Sequence, residues 1–170
     1  GALTATQTPQ SANTYVIAVP TPVQYVEGED VPQSDLSYVM AAIGTLLPIL
    51  KCGDLLIIES TCPVGTTDLI VKFISQNRPD LLLGSTESEM GVGVAYCPER
   101  VIPGQMMREV IENDRIIGGL TPRCAVRARD FYKRFVHGEC RITTARTAEM
   151  SKLTENAFRD VNIAFANELS

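Results

Sequence analysis

Lys152 and Asn156 stand four residues apart in AEMSKLTENAFRDVNIAFANEL (148–169), a stretch that reads as one long helix. That spacing is about one helical turn, so an ammonium and a carboxamide share a face. Both groups donate hydrogen bonds, and two donors aimed at one point can hold an oxyanion that develops in a reaction. A solvated polar stripe is the plainer reading of the pair. Glu99 is alone in the apolar, proline-bound loop CPERVIPG (97–104). A carboxylate in a cleft can be tuned upward in pKa and serve as a base. Its plainer role is a salt bridge to Arg100 or to a more distant cation. Thr21 and Thr61 bring hydroxyls to the loops VPTPV and ESTCPVGTT, each directly after an apolar run. Thr before a helix is often only a cap. Gly65 lets backbone approach a ligand at a helix start, where free N–H groups favour phosphate or another anion.

The elements that would carry these residues follow from patterning. TYVIAVP (14–20) and LLIIE (55–59) are short β-branched or leucine-rich runs, and VAYC (94–97), DRIIGG (114–119) and CRITT (140–144) complete a set of strands. Between them, Ser34 or Asp35 can cap a helix running to about Leu50, with Pro48 ending or kinking its last turn. A second helix spans roughly 66–76. Thr121 followed by Pro122 marks the start of a third. Residues 21–33 read as a loop, and so does PERVIPG (98–104). Apolar strands separated by helices indicate an open parallel α/β sheet, which binds ligands beyond the carboxyl ends of its strands. On the terminal helix, Met150, Leu153, Ala157, Phe158, Val161, Ala164 and Phe165 fall within an arc of roughly 140° and form the expected packing face, with partners expected beyond Ser170 or in another subunit.

Composition narrows the classes. The chain has 170 residues, is 45% hydrophobic and carries a net charge of -5 with no long basic run, so nucleic acid is not expected as a partner. No apolar run is long enough to span a bilayer, and the N-terminal stretch lacks the hydrophobic segment of a signal peptide. Five cysteines, none in a CxxC arrangement, fit reduced thiols in the cytoplasm better than a disulfide framework. His137 precedes Gly138 and reads as a surface turn, and without a Cys/His cluster no metal site is expected. Cys62 and Cys97 have no neighbouring base and read as packing residues.

Together, ESTCPVGTT, YCPERVIPGQ, NDRIIGG and RTAEMSKLTENAFRDVNIAFANELS resemble the nucleotide-sugar 6-dehydrogenases of the UDP-glucose/GDP-mannose dehydrogenase family, from about Tyr15 to Ser170. The resemblance implies a Rossmann-like open parallel sheet, the second half of an NAD-binding domain, over 1–144. Residues 145–170 would begin a long central helix that serves both catalysis and dimerisation. The family oxidises the C6 alcohol of a UDP-sugar or related nucleotide sugar twice, using two NAD molecules. Thr21, Pro22 and Thr61 would then line the cofactor cleft, and Thr61 would hold a catalytic water. Glu99 would act as the base around that water. Lys152 and Asn156 would stabilise the C6 oxyanion, and Arg100 and Val101 would join Glu99 in contacting substrate. Arg100 replaces an aromatic residue and Pro103 a second glutamate of UDP-glucose enzymes, departures that favour an N-acetylmannosamine-type substrate. UDP-N-acetylglucosamine, UDP-glucose and a non-catalytic Rossmann-like assembly module are the alternatives. No G-x-G-x-x-G occurs in the chain, since GVGVAY leads into a strand, and the family's cysteine motif is not in it either. The chain is therefore expected to be the middle of a longer enzyme and inactive alone.

Overall fold

The computed structural model describes residues 3–25, 28, 31–84, 90–101 and 104–170. Pro103 and the stretch 85–89 lie outside these. In chain order the elements are β1 (Thr14–Ile17), β2 (Val23–Gln24), β3 (Gln33–Ser34), α1 (Ser37–Leu46), β4 (Leu55–Ile58) and α2 (Thr66–Asn77). They continue with β5 (Gly93–Tyr96), α3 (Met106–Glu112), β6 (Arg115–Gly119), α4 (Pro122–Tyr132), β7 (Cys140–Thr144) and α5 (Ala145–Glu168). The main sheet has the order β1-β4-β5-β6-β7. Strands β1, β4 and β5 are parallel, as are β6 and β7.

The expectation of an open, helix-covered, mostly parallel sheet holds, with one local difference. Strand β6 runs antiparallel to β5, pairing Tyr96 with Gly118 and Ala95 with Gly119. A parallel partner would need a crossover helix packed on the sheet. Among the described residues the connection offers only α3, which buries none of its residues. The chain therefore turns back beyond the end of β5, and β6 begins on the ligand side of the sheet. Two smaller differences lie at the other edge. The loop after β1 contains the two-stranded ribbon β2–β3. Helix α1 ends at Leu46, before Pro48, and its N-cap is Leu36 rather than Ser34 or Asp35; Asp35, one residue earlier, accepts the Ser37 amide at 2.8 Å through Oδ1.

Strand alternation divides the core. Leu56 and Ile58 face α1 and α2 with Val39, Ile43, Ile70 and Ile74, while Leu55 and Ile57 face α4 with Ala125, Ala128 and Tyr132. Each such side chain contributes about 1.5–3 kcal/mol on burial. Thr121 caps α4 as expected, accepting from the Cys124 amide at 3.3 Å, with Pro122 in the first turn. Thr144 caps α5, accepting from the Thr147 amide at 3.2 Å.

Helix α5 is seated by absence of a side chain. A Cβ on Gly118 would overlap the Thr144 carbonyl oxygen and the Ala145 Cα. Only glycine lets the root of α5 cross β6 so closely. Gly118→Ala is expected to lower stability by about 1–3 kcal/mol through overpacking against backbone that cannot yield. Gly44→Ala, in α1 with nothing within 4 Å of the added carbon, is the control and should be neutral or stabilising by up to about 1 kcal/mol. Urea midpoints of the two variants check this.

Candidate active site

The carboxyl ends of β1, β4 and β5 and the middle of α5 converge. Thr21 Oγ1 donates to the Thr61 carbonyl at 2.6 Å, and the Val19 amide donates to Ser60 Oγ at 2.9 Å. These bonds join the loops after β1 and β4. The Glu99 amide reaches the Glu59 carbonyl at 3.5 Å and joins β4 to β5. Lys152 Nζ donates to the Glu99 carbonyl at 2.7 Å, so α5 is tied to the same place. Thr21, Thr61, Glu99 and Lys152 are thus linked, and each is half-buried. Pro22 is exposed beside Thr21, and Val101 is half-buried beside Glu99.

The unused hydrogen-bonding capacity matters for chemistry. Lys152 has three donors, and the Glu99 carbonyl takes one. Asn156 accepts from Arg159 through Oδ1 at 2.8 Å, and its Nδ2 donates to none of the described residues. It is not bonded to the described residues of the loops and sits one turn beyond Lys152. Thr61 Oγ1 likewise makes no hydrogen bond among the described residues. Glu99 folds its carboxylate back so that Oε1 accepts the Val101 amide. The ion pair to Arg100 weighed for Glu99 is absent. Arg100 instead grips Glu155, Nη2 to Oε1 at 2.5 Å and Nε to Oε2 at 3.0 Å, and donates to the Asp114 carbonyl at 3.1 Å.

Glu149 was missed by pattern reading, and it has no exposed surface. Its Oε2 accepts the Gly65 amide at 2.6 Å; its Oε1 accepts the Thr67 amide at 2.8 Å and the Thr67 hydroxyl at 2.7 Å. The start of α2, expected to be open to an anionic ligand, is therefore filled by the chain's own carboxylate. Gly65 makes this possible, since its φ of 96° turns the N–H groups toward α5. The signal in the sequence was Glu149, Lys152 and Glu155 at three-residue steps, a polar stripe opposite the apolar arc.

The apolar arc, whose partners were expected outside this chain, is largely open: Phe158 is 72% exposed, Val161 67% and Phe165 64%. Helix α5 docks through Ala145, Ala148 and Glu149 instead, aided by Lys152 and Glu155. Beneath the loops, Glu59 accepts from Tyr132 Oη at 2.6 Å and faces Arg115 Nη1 at 3.7 Å. Arg115 also lies over the Tyr132 ring. This buried group anchors the end of β4 to the start of β6.

Residues 1–136 match the NAD-binding domain of the UDP-glucose/GDP-mannose dehydrogenase family, and residues 146–170 match that family's central domain. The chain is 54% identical, over its whole length, to the NDP-N-acetyl-D-galactosaminuronic acid dehydrogenase of Ralstonia nicotianae. It is 53% identical to the UDP-N-acetyl-D-mannosamine dehydrogenase of Escherichia coli, again over its whole length. It spans 39% and 40% of those two relatives. Among solved structures, the UDP-N-acetyl-mannosamine dehydrogenase of Staphylococcus aureus superposes with a TM-score of 0.81 at 44% identity, covering 96% of this chain and 38% of that one.

The thiols near the site are inert. Burial, reinforced by the Glu149 charge, pushes Cys62 up to about 12, and burial pushes Cys97 up to about 11. The thiolate is the reactive form, so neither attacks a disulfide reagent at pH 8 in the folded chain. Exposed Cys52 should react within minutes of adding 5,5'-dithiobis(2-nitrobenzoate), with Cys62 and Cys97 released only by denaturant. Because both pKa values are raised, the stability linked to them is present below the ordinary thiol pKa and declines as pH rises from about 9. Denaturant midpoints measured from pH 8 to pH 11 should fall accordingly.

Proposed function

The chain belongs to the UDP-glucose/GDP-mannose dehydrogenase family, and from that premise we propose that its parent protein is an NAD-dependent UDP-N-acetyl-D-mannosamine 6-dehydrogenase. The reaction would be a two-step, four-electron oxidation at C6, producing a uronic acid. The observation that carries this reading is the Lys152–Glu99 tether, which sets an ammonium beside a carboxylate-bearing loop at the strand ends. Cells would use the product in polysaccharide synthesis, and the enzyme would work in the cytoplasm. Among the described residues no helix is long and apolar enough to cross a membrane. The similarity to a galactosaminuronic acid dehydrogenase favours an N-acetylated sugar without fixing its stereochemistry. That makes a galactosamine epimer the second reading, supported by its 54% identity.

The residues fit the cofactor in one respect that the fold itself supplies. Thr21, Pro22 and Thr61 border an open surface at the ends of adjacent parallel strands, where dinucleotides bind in this architecture. NAD, when bound, accepts hydride from C6. Lys152, with two donors to spare, and Asn156 Nδ2 hold the C6 oxygen as its proton passes to a neighbouring water. Glu99 Oε2, which bonds to none of the described residues, takes a proton from a water that Thr61 Oγ1 positions. Arg100 and Val101 contact the sugar nucleotide alongside Glu99. The apolar arc of α5 supplies a homodimer contact. Several exposed side chains, each worth about 1.5–3 kcal/mol when buried, are a strong drive to associate.

In the full-length enzyme, Lys152→Ala should lower kcat by about 10²–10³. Unchanged kcat at saturating sugar nucleotide refutes the oxyanion role. Glu99→Gln should slow turnover and leave NAD affinity nearly unchanged, and a collapse of NAD binding would make Glu99 a cofactor or structural residue. Comparing UDP-N-acetylmannosamine, UDP-N-acetylglucosamine, UDP-N-acetylgalactosamine and UDP-glucose as substrates decides the sugar. The 170-residue chain alone should produce no NADH and should dimerise. Light scattering at tens of micromolar checks the second point, and a strict monomer contradicts it.

A further inference from the structure

We infer that Glu149 is a positioning residue for Lys152: it never touches substrate, yet it sets where the ammonium points. The inference rests on the dehydrogenase reading above and adds a residue that reading does not use. An ordinary helix cap is a short side chain on the N-cap residue itself, commonly exposed. Here the N-cap of α2 is Gly65, which has no side chain, and the cap arrives from α5, 84 positions along the chain. A buried carboxylate is a costly way to join two helices unless its directionality is used. Apolar contacts would let α5 slide and roll over α2. Bonds to the Gly65 amide, the Thr67 amide and the Thr67 hydroxyl fix both its rotation and its height.

Lys152 lies on the next turn, on the same face, and Nζ meets the Glu99 carbonyl. A slip of one residue would rotate it by about 100° and shift it by about 1.5 Å. Displacements of about 1 Å at a reacting centre cost about 10²-fold in rate. Two further ion pairs tether α5, Arg100–Glu155 with side chains 31% and 39% exposed and Arg146–Asp68, to α2, with side chains 70% and 48% exposed, so solvent weakens their hold. Glu149 is the anchor by burial and by number of bonds.

The test uses the full-length enzyme, with Glu149→Gln, Glu149→Asp, Lys152→Ala and the two double variants. Glu149→Gln keeps size and removes the acceptor facing the Gly65 amide. Its kcat should fall by about 10²-fold with NAD affinity unchanged. In the Lys152→Ala background the same change should lower kcat by less than about threefold, because the two act through one group. Independent, multiplied losses would overturn the inference. A second readout needs no turnover: acetylation of Lys152 by an N-hydroxysuccinimide ester, followed by peptide mass spectrometry. Its rate should rise several-fold in the variant, while that of exposed Lys72 stays constant. Unchanged Lys152 acetylation in a folded variant also overturns the inference. If Glu149→Gln does not fold, Glu149→Asp is read in its place, since it keeps the charge and withdraws it by one methylene. If the wild type oxidises no nucleotide sugar, the dehydrogenase reading fails and the acetylation rates still decide the positioning role.

Discussion

A carboxylate without exposed surface, Glu149, closes the start of α2 and fastens α5 to the sheet. Hydrogen bonds to a charged group contribute about 1.5–3 kcal/mol each, and an unpaired partner in a buried site costs more than the bond gives. The helix has few positions that satisfy all three donors at once. Once that position is taken, Lys152 falls at the Glu99 carbonyl and Glu155 at the Arg100 guanidinium. The ends of β4, β5 and β6 are thereby held by one helix face. The antiparallel β6 contributes from below, since it starts on the ligand side and brings Arg115 under Glu59.

Docking by the polar face has a second consequence. It leaves Met150, Phe158, Val161 and Phe165 directed away from the sheet, where a packing helix would ordinarily bury them. The two faces of the helix differ: one is bonded to the strand-end loops and to α2, and the other is open. A groove lined by Val64, Ile116, Met150 and Thr154 continues that apolar face toward the loop before α2. The site and the exposed arc are therefore mechanically joined, being opposite sides of a single rigid element.

Much of the sheet was legible because its signals are local. Five apolar runs became the five strands of the main sheet, and the Thr121–Pro122 start of α4 was read from two residues. Thr21, Thr61 and Glu99 were legible because strand ends are where such sheets bind ligands, and Lys152 because it shares a helix face with Asn156. Their convergence also depended on a family resemblance. The direction of β6 was not legible, since strand polarity depends on the path of the connection and α3 has too weak a pattern to reveal it. Glu149 was hidden for a different reason. Hydrophobic periodicity assigns the buried side of a helix to its apolar arc, and here a satisfied carboxylate lies on the buried side.

The central claim is that the polar face of α5 and the strand-end loops form one site around the C6 oxygen of a nucleotide sugar. A crystal structure of the full-length protein with NADH and UDP-N-acetylmannosamine tests it most directly. The account predicts Lys152 Nζ and Asn156 Nδ2 within about 3.2 Å of that oxygen, with the Glu149 bonds to α2 intact. A sugar seated elsewhere, or a C6 oxygen held by other donors while Lys152 stays on the Glu99 carbonyl, would contradict it.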